Sequence, residues 1–252
     1  MTTSRSREAS RSAPVLSPHV RPAPDEPRFS IGIALAGWFA ALLFSNIGAV
    51  IILAATGYSN TDYNDLPLWL IAVLQVPLWV GLVGVVVIVS HRFGTGSLEK
   101  DYGFRFRSGD VLGLPIGIIV QLVFVPVLYK LLSVFVDTSS VSEPAERLTD
   151  HAQGIGVVLL VVLVVVGAPV IEELFFRGLL MRSIQARWSD TIALVGSSVL
   201  FGLAHFELLQ LPALVMFGLV AGYCAQRTGR LGMSVWAHAG FNATTVAFLL
   251  FR

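Results

Sequence analysis

Glu172 and Glu173 stand side by side, and Arg177 follows four residues after the second. Ahead of them runs Gly156-Val157-Val158-Leu159-Leu160-Val161-Val162-Leu163-Val164-Val165-Val166, a stretch fit for a membrane interior. A charge near the centre of a bilayer costs roughly 2.5–3.5 kcal/mol on insertion scales, so charges clustered there mark a functional site by default. On a helix Glu173 and Arg177 face each other with the carboxylate first, the favourable order for an ion pair. Glu172 is rotated about 100° from Glu173. Its own neighbour four residues on is Phe176, so its charge must find a partner on another helix. A carboxylate placed that way can act as a general base. The competing reading sets both carboxylates at the membrane edge, with Arg177 among the headgroups.

Two later stretches supply the partners. In Phe201-Gly202-Leu203-Ala204-His205-Phe206, His205 is the one titratable group before Glu207, which is expected to face water at the helix end. In Trp236-Ala237-His238-Ala239-Gly240-Phe241-Asn242, His238 and Asn242 are four apart and share a helix face. Both are costly in lipid and are expected to face the bundle interior. Gly240 and Ala239 would let another helix approach closely. Taken singly, each stretch admits a structural reading, a hydrogen-bonded histidine or an interhelical polar clamp. Together a carboxylate, two imidazoles and an amide are the parts of a hydrolytic site. Glu activates water, His orients or shares the proton, and a His–Asn face stabilises an oxyanion. Glu172, His205 and His238 also suit one divalent metal such as zinc, with Asn242 as a further ligand or hydrogen-bonded behind one. There is no His-Glu-x-x-His run, so this is not an ordinary zincin.

The elements that must position these groups are apolar helices. Of 252 residues 55% are hydrophobic and 13% charged, where soluble domains carry about 25% charged residues. The expected fold is all-α: a polytopic transmembrane bundle of about seven membrane segments behind a disordered N-terminal tail. Residues 1–28 are rich in Ser, Pro and Arg and form that tail; 29–153 are expected to hold N-terminal transmembrane helices and 154–252 the catalytic core. The segments run about Ile31 to Thr56, Leu66 to Ser90, Val111 to Val136, Gly154 to Phe176, Ile192 to Phe206, Pro212 to Ala225 and Leu231 to Phe251. Pro115 and Pro126 are expected to kink the third. The fifth and sixth are shorter than the roughly 20 residues a span needs, and they are expected to tilt, to be covered by neighbours, or to form a hairpin dipping into the membrane. The single cysteine, Cys224, excludes an internal disulfide and reads as a small buried hydrophobe.

Lys and Arg gather in the tail and in the loops after the second, fourth and sixth segments. The positive-inside rule then places the N-terminus in the cytoplasm and the C-terminus outside. On that map Glu172 and His238 share a depth in the cytoplasmic leaflet. His205 would lie too deep unless its hairpin is shallow. The net charge of +1 includes no dense basic block, so no nucleic-acid partner is expected; the partners are the bilayer and a membrane-associated peptide or protein. No internal repeat is visible, which argues against an inverted-repeat transporter using Glu172 and His205 as a proton relay.

The three stretches resemble a known family. Glu172-Glu173-Leu174-Phe175-Phe176-Arg177-Gly178 is similar to the EExxxR motif of the CAAX prenyl protease and bacteriocin-processing family (CPBP, or Abi) of intramembrane proteases. Phe201 to His205 resembles its FxxxH motif and His238 to Asn242 its HxxxN motif. The resemblance covers roughly Val157 to Phe248, with all three motifs in order. It implies that Glu172 activates the attacking water with help from His205, that Glu173 and Arg177 organise the site, and that His238 and Asn242 bind the carbonyl oxygen or complete a metal site. It leaves open a metalloprotease or a metal-free glutamate mechanism. Eukaryotic members trim prenylated proteins, and bacterial members include bacteriocin maturation and self-immunity. The Arg-rich tail and small size point to a bacterial plasma-membrane protein, for which a prenylated substrate is not expected. A non-enzymatic scaffold or immunity protein is the alternative.

Overall fold

The computed structural model describes residues 29–150 and 152–251. The tail read as disordered, 1–28, lies outside the described residues, as do His151 and Arg252. The described chain is all-α. Its main helices are α1 (Ile31–Thr56), α2 (Leu68–Phe93), α3 (Ser108–Leu132), α4 (Ile155–Gln185), α5 (Asp190–Leu203), α6 (Leu211–Thr228) and α7 (Gly232–Leu250). Each apolar segment read from the sequence forms a helix. Four of them, α1 to α4, are long and apolar enough to cross a membrane, at 26, 26, 25 and 31 residues. The expected number of crossings was about seven. α5 has only 14 residues, a rise of about 21 Å against a hydrocarbon core of about 30 Å.

Large apolar side chains point outward along α1 (Phe39, Leu43, Ile47, Val50) and α3 (Leu122, Val127). Lipid is the solvent that covers such faces, and the chain is an integral membrane protein. α1 packs on α2, α5 on α6, and α7 sits centrally against α3, α4 and α6. The α3–α7 crossing is a small-residue seam. A methyl added to Gly117 would meet the carbonyl oxygen of Ala237, and one added to Gly240 would meet that of Leu114. The close approach expected at Gly240 is therefore present, and its partner is α3.

Two of the long helices are not regular. Backbone hydrogen bonds reach five residues back, in π turns, over Val120–Phe124 in α3 and over Val161–Gly167 and Leu174–Leu180 in α4. In α3 the widened turn lies just before Pro126, whose missing N–H breaks the ladder there. In α4 the first lies just before Pro169. The entry to α7 is anchored by charge. Asp110, fully buried, accepts from Arg230 Nη2 at 2.6 Å and Nε at 3.1 Å, joining the start of α3 to the start of α7.

Candidate active site

Glu173 and Arg177 lie one turn apart on α4, both with no exposed surface. Arg177 Nη1 donates to Glu173 Oε1 at 2.9 Å, and Nη2 donates to the Gly218 carbonyl on α6 at 3.2 Å. The guanidinium also lies over the Phe201 ring, 4.3 Å from its centroid. Arg177 is thus bound on three sides inside the bundle and is not among headgroups. An unpaired buried charge is strongly destabilising, and the pairing is what permits both groups to sit here.

Glu173 has a second duty. Its Oε1 lies 3.0 Å from Nδ1 of His238 on α7. A carboxylate held by an arginine is an acceptor, so His238 Nδ1 carries the proton and Nε2 presents a lone pair when the ring is neutral. His205 is fixed by the same logic. Its Nδ1 is 2.8 Å from the Phe201 carbonyl, which can only accept, so its Nε2 is also a lone pair. Both Nε2 atoms point at one oxygen: Glu172 Oε2 is 3.9 Å from His238 Nε2 and 4.0 Å from His205 Nε2. Glu172 Oε2 is buried and has no hydrogen-bond donor among the described residues. Three polar atoms therefore converge on one gap, with no direct hydrogen bond from either imidazole to Glu172 Oε2.

His205 is not within a helix as the sequence suggested. α5 ends at Leu203, and His205 sits in the following turn with Phe206 in the left-handed region at φ 56°. Because α5 is short, this turn falls inside the bundle and brings His205 to the level of Glu172 and His238. Glu207, by contrast, is exposed, as expected for a group facing water at the end of that segment. The aromatic floor was not anticipated from spacing. Phe201 packs edge-on to Phe176, His205 and His238, at centroid distances of 5.3, 4.8 and 5.7 Å, and Phe217 lies 4.8 Å from His238. Asn242 shares the His238 face of α7, but its Nδ2 donates to the Val164 carbonyl of α4 at 2.7 Å.

Two imidazole nitrogens and a carboxylate are the donor chemistry of zinc. In a tetrahedral shell with bonds of about 2.0–2.1 Å the ligating atoms lie about 3.3–3.4 Å apart. The separations from Glu172 are wider, and among the described residues no group of three His, Cys, Asp or Glu side chains is gathered to hold a metal ion. As arranged, the residues do not fit the ion. A gap of 3.9–4.0 Å between polar atoms does fit a bridging water: with hydrogen bonds of about 2.8 Å on each side, the angle at that water is about 90°.

The three groups line a cavity of about 790 Å³. From them it runs toward Tyr63, Ser142, Glu146 and Thr149, at the end of the bundle that carries the acidic loops. Its walls include Trp79 and Gln75 of α2 and Gln121 of α3. Trp79 Nε1 and Gln121 Oε1 are buried with no partner among the described residues. These polar groups of the early helices escaped the sequence reading, although a glutamine inside an apolar segment is costly in lipid and is itself a signal.

Residues 154–244 match a family model described as type II CAAX prenyl endopeptidase Rce1-like. The matched stretch is that of the late helices, α4 into α7, where the sequence resembles the CPBP family. The "Putative membrane peptidase YdiL" of Bacillus subtilis (strain 168) is 27% identical over 109 residues, 43% of this chain and 44% of that protein. The chain thus aligns with less than half the length of this relative. No solved structure matches. The matched region contains Glu172, Glu173, Arg177, His205, His238 and Asn242 and begins where α4 begins.

Proposed function

We propose that the chain is an intramembrane endopeptidase that cuts a peptide bond with water activated by Glu172. The observation that carries this reading is the convergence of Glu172 Oε2 and two imidazole Nε2 atoms on one water-sized gap at the end of an apolar cavity. A water there donates one proton toward Glu172 and the other toward an imidazole. On attack at the substrate carbonyl carbon, Glu172 takes the first proton and a tetrahedral oxyanion forms. The intermediate's remaining hydroxyl proton stays directed at an imidazole Nε2, an acceptor in His238 because Nδ1–H donates to Glu173. Collapse of the intermediate breaks the C–N bond, and the proton on Glu172 passes to the leaving amine.

The Arg and Lys distribution orients the reading: N-terminus in the cytoplasm of a bacterial cell, with the cavity extending from the site toward the opposite face. The apolar walls suit an apolar, membrane-associated peptide segment. A divalent ion held by Glu172, His205 and His238 is the competing proposal. It requires these atoms to draw together by about 0.6 Å.

Purified wild type and Glu172→Gln, compared for thermal stability and for cleavage of membrane-protein and peptide panels, test both. Glu172 Oε2 accepts from no donor among the described residues, so neutralising it leaves no partner there unpaired. Activity should vanish with the melting temperature unchanged or higher, and likewise vanish in His205→Ala. Loss of stability in Glu172→Gln, or no cleavage by wild type, would favour a scaffold. Inactivation by chelator with recovery on adding zinc would replace the water mechanism with the metal one.

A further inference from the structure

Asn242 carries a role that its place one turn from His238 does not disclose. In the first π turn of α4, the Ala168 N–H donates to the Leu163 carbonyl, five residues back. The next bond in that ladder would run from residue 169 to the Val164 carbonyl. Residue 169 is proline and has no N–H. The Val164 carbonyl is therefore left without its helical donor, and Asn242 Nδ2 occupies that position at 2.7 Å. Pro169 is buried and is the second residue of the stretch Ala168–Glu173 that ends in the two carboxylates. A π turn inserts one residue relative to an α-helix. Closing it would rotate everything beyond it by about 100°, and Glu172 lies three residues past Pro169.

We infer that Asn242 is a positioning residue: its amide replaces the backbone donor missing at Pro169, holds the widened turn of α4 open, and so aims Glu172 at His205 and His238. This rests on the endopeptidase reading for its effect on rate, but not for its effect on stability. One of the two Nδ2 protons is thereby committed to α4.

The test is a double-mutant cycle in the full-length protein with Asn242→Ala, Pro169→Ala and both together, reading melting temperature and, on whichever panel substrate wild type cuts, kcat and KM separately. Asn242→Ala should lower the melting temperature by about 2–4 °C or more and reduce kcat at least tenfold with KM little changed. Asn242→Asp, nearly the same size but without the N–H, should lose as much. Pro169→Ala restores a backbone N–H for Val164, so the double variant should recover most of the lost stability and part of kcat. If Asn242→Ala is too unstable to purify, the double variant must still be recoverable. Asn242→Ala at wild-type melting temperature, or a double variant whose losses simply add, would overturn the inference. Loss of kcat without loss of stability, unrescued by Pro169→Ala, would instead make Asn242 a group that touches the substrate. If wild type cuts nothing, the stability cycle still decides the tie between α4 and α7, and only the endopeptidase reading fails.

Discussion

The Glu173–Arg177 pair serves stability and chemistry at once, and the two can be separated. Arg177→Met removes a fully buried cation of similar length and leaves the Glu173 carboxylate with His238 as its remaining charge-bearing partner. Breaking one half of a buried pair costs about 3–5 kcal/mol. A change of 1 kcal/mol moves the melting temperature by about 2–4 °C in a chain of this size, so Arg177→Met should fall by roughly 6–20 °C. Glu173→Gln should fall by a similar amount, because it strands the guanidinium over Phe201. The double variant Glu173→Gln/Arg177→Met leaves neither charge of the pair behind. Replacing a whole buried pair by neutral groups is often neutral or better, so its melting temperature should return close to wild type.

Activity should not return with it. The amide oxygen introduced by Glu173→Gln can still accept from His238 Nδ1–H, but the bond is no longer charge-assisted. Bonds to charged groups are worth about 1.5–3 kcal/mol against about 0.5–1.5 for neutral ones. The difference of about 1–1.5 kcal/mol is about a tenfold loss in rate. Melting curves and single-turnover cleavage of one substrate by all four proteins read both quantities. A double variant as unstable as its parents would refute the argument that the cost is unpaired charge. A stable double variant with full activity would refute the role of the Glu173 charge behind His238.

Three further outcomes follow from particular contacts. Gly117→Ala drives a methyl into the Ala237 carbonyl at the α3–α7 seam and should cost about 1–3 kcal/mol in melting experiments, while Gly57→Ala, with open space around it, acts only through its positive φ. Phe206→Gly should raise the melting temperature while cleavage persists: Phe206 is 72% exposed and holds φ 56°, a conformation that costs an L-residue about 1–2 kcal/mol and glycine nothing. Gln121→Leu removes a buried acceptor that has no partner among the described residues. It should match or exceed wild type in stability, and raise KM with kcat retained if Gln121 binds substrate backbone in the cavity.

Much of the architecture was legible because lipid imposes simple rules. Apolar runs became helices, α1 coinciding with Ile31 to Thr56, while α4 continues to Gln185, nine residues past its expected end at Phe176. Helical spacing alone paired Glu173 with Arg177 and set Glu172 apart. What spacing could not supply was register across helices. Gly113 and Gly117, whose Cβ positions fall on the backbone of α7, are ordinary glycines in an apolar run until that helix is placed on them. The π turns were hidden too: a proline announces a broken ladder, but not whether the helix kinks or widens. His205 was misread for the opposite reason. Its apolar neighbours continue the helical pattern through Phe206, while the chain turns after Leu203 and holds Phe206 in a conformation its residue type disfavours. A residue held against its own preference next to a candidate catalytic histidine is the kind of strain that surrounding structure must enforce.

The adjacency of Glu172 and Glu173 explains how one turn of helix can hold both an ion-paired carboxylate and an unpaired one. Successive helical residues diverge by about 100°. One therefore faces the α6–α7 side, where Arg177 and His238 bind it. The other faces the cavity, where it meets the lone pairs of two imidazoles. The first carboxylate, held by Arg177, fixes His238 with its Nδ1 inward and its Nε2 toward the cavity; the second has no hydrogen-bond donor among the described residues. Separating the carboxylates onto different helices would need two independent registers to agree. Placing them in sequence lets a single α4 register, set at the Pro169 turn, fix both duties together. The same coupling makes the arrangement sensitive: any change that closes that turn should carry Glu172 away from the two imidazoles and Glu173 away from His238 in one step, the Glu173–Arg177 pair rotating with α4 as a unit, whereas a change confined to Glu172 removes only the first.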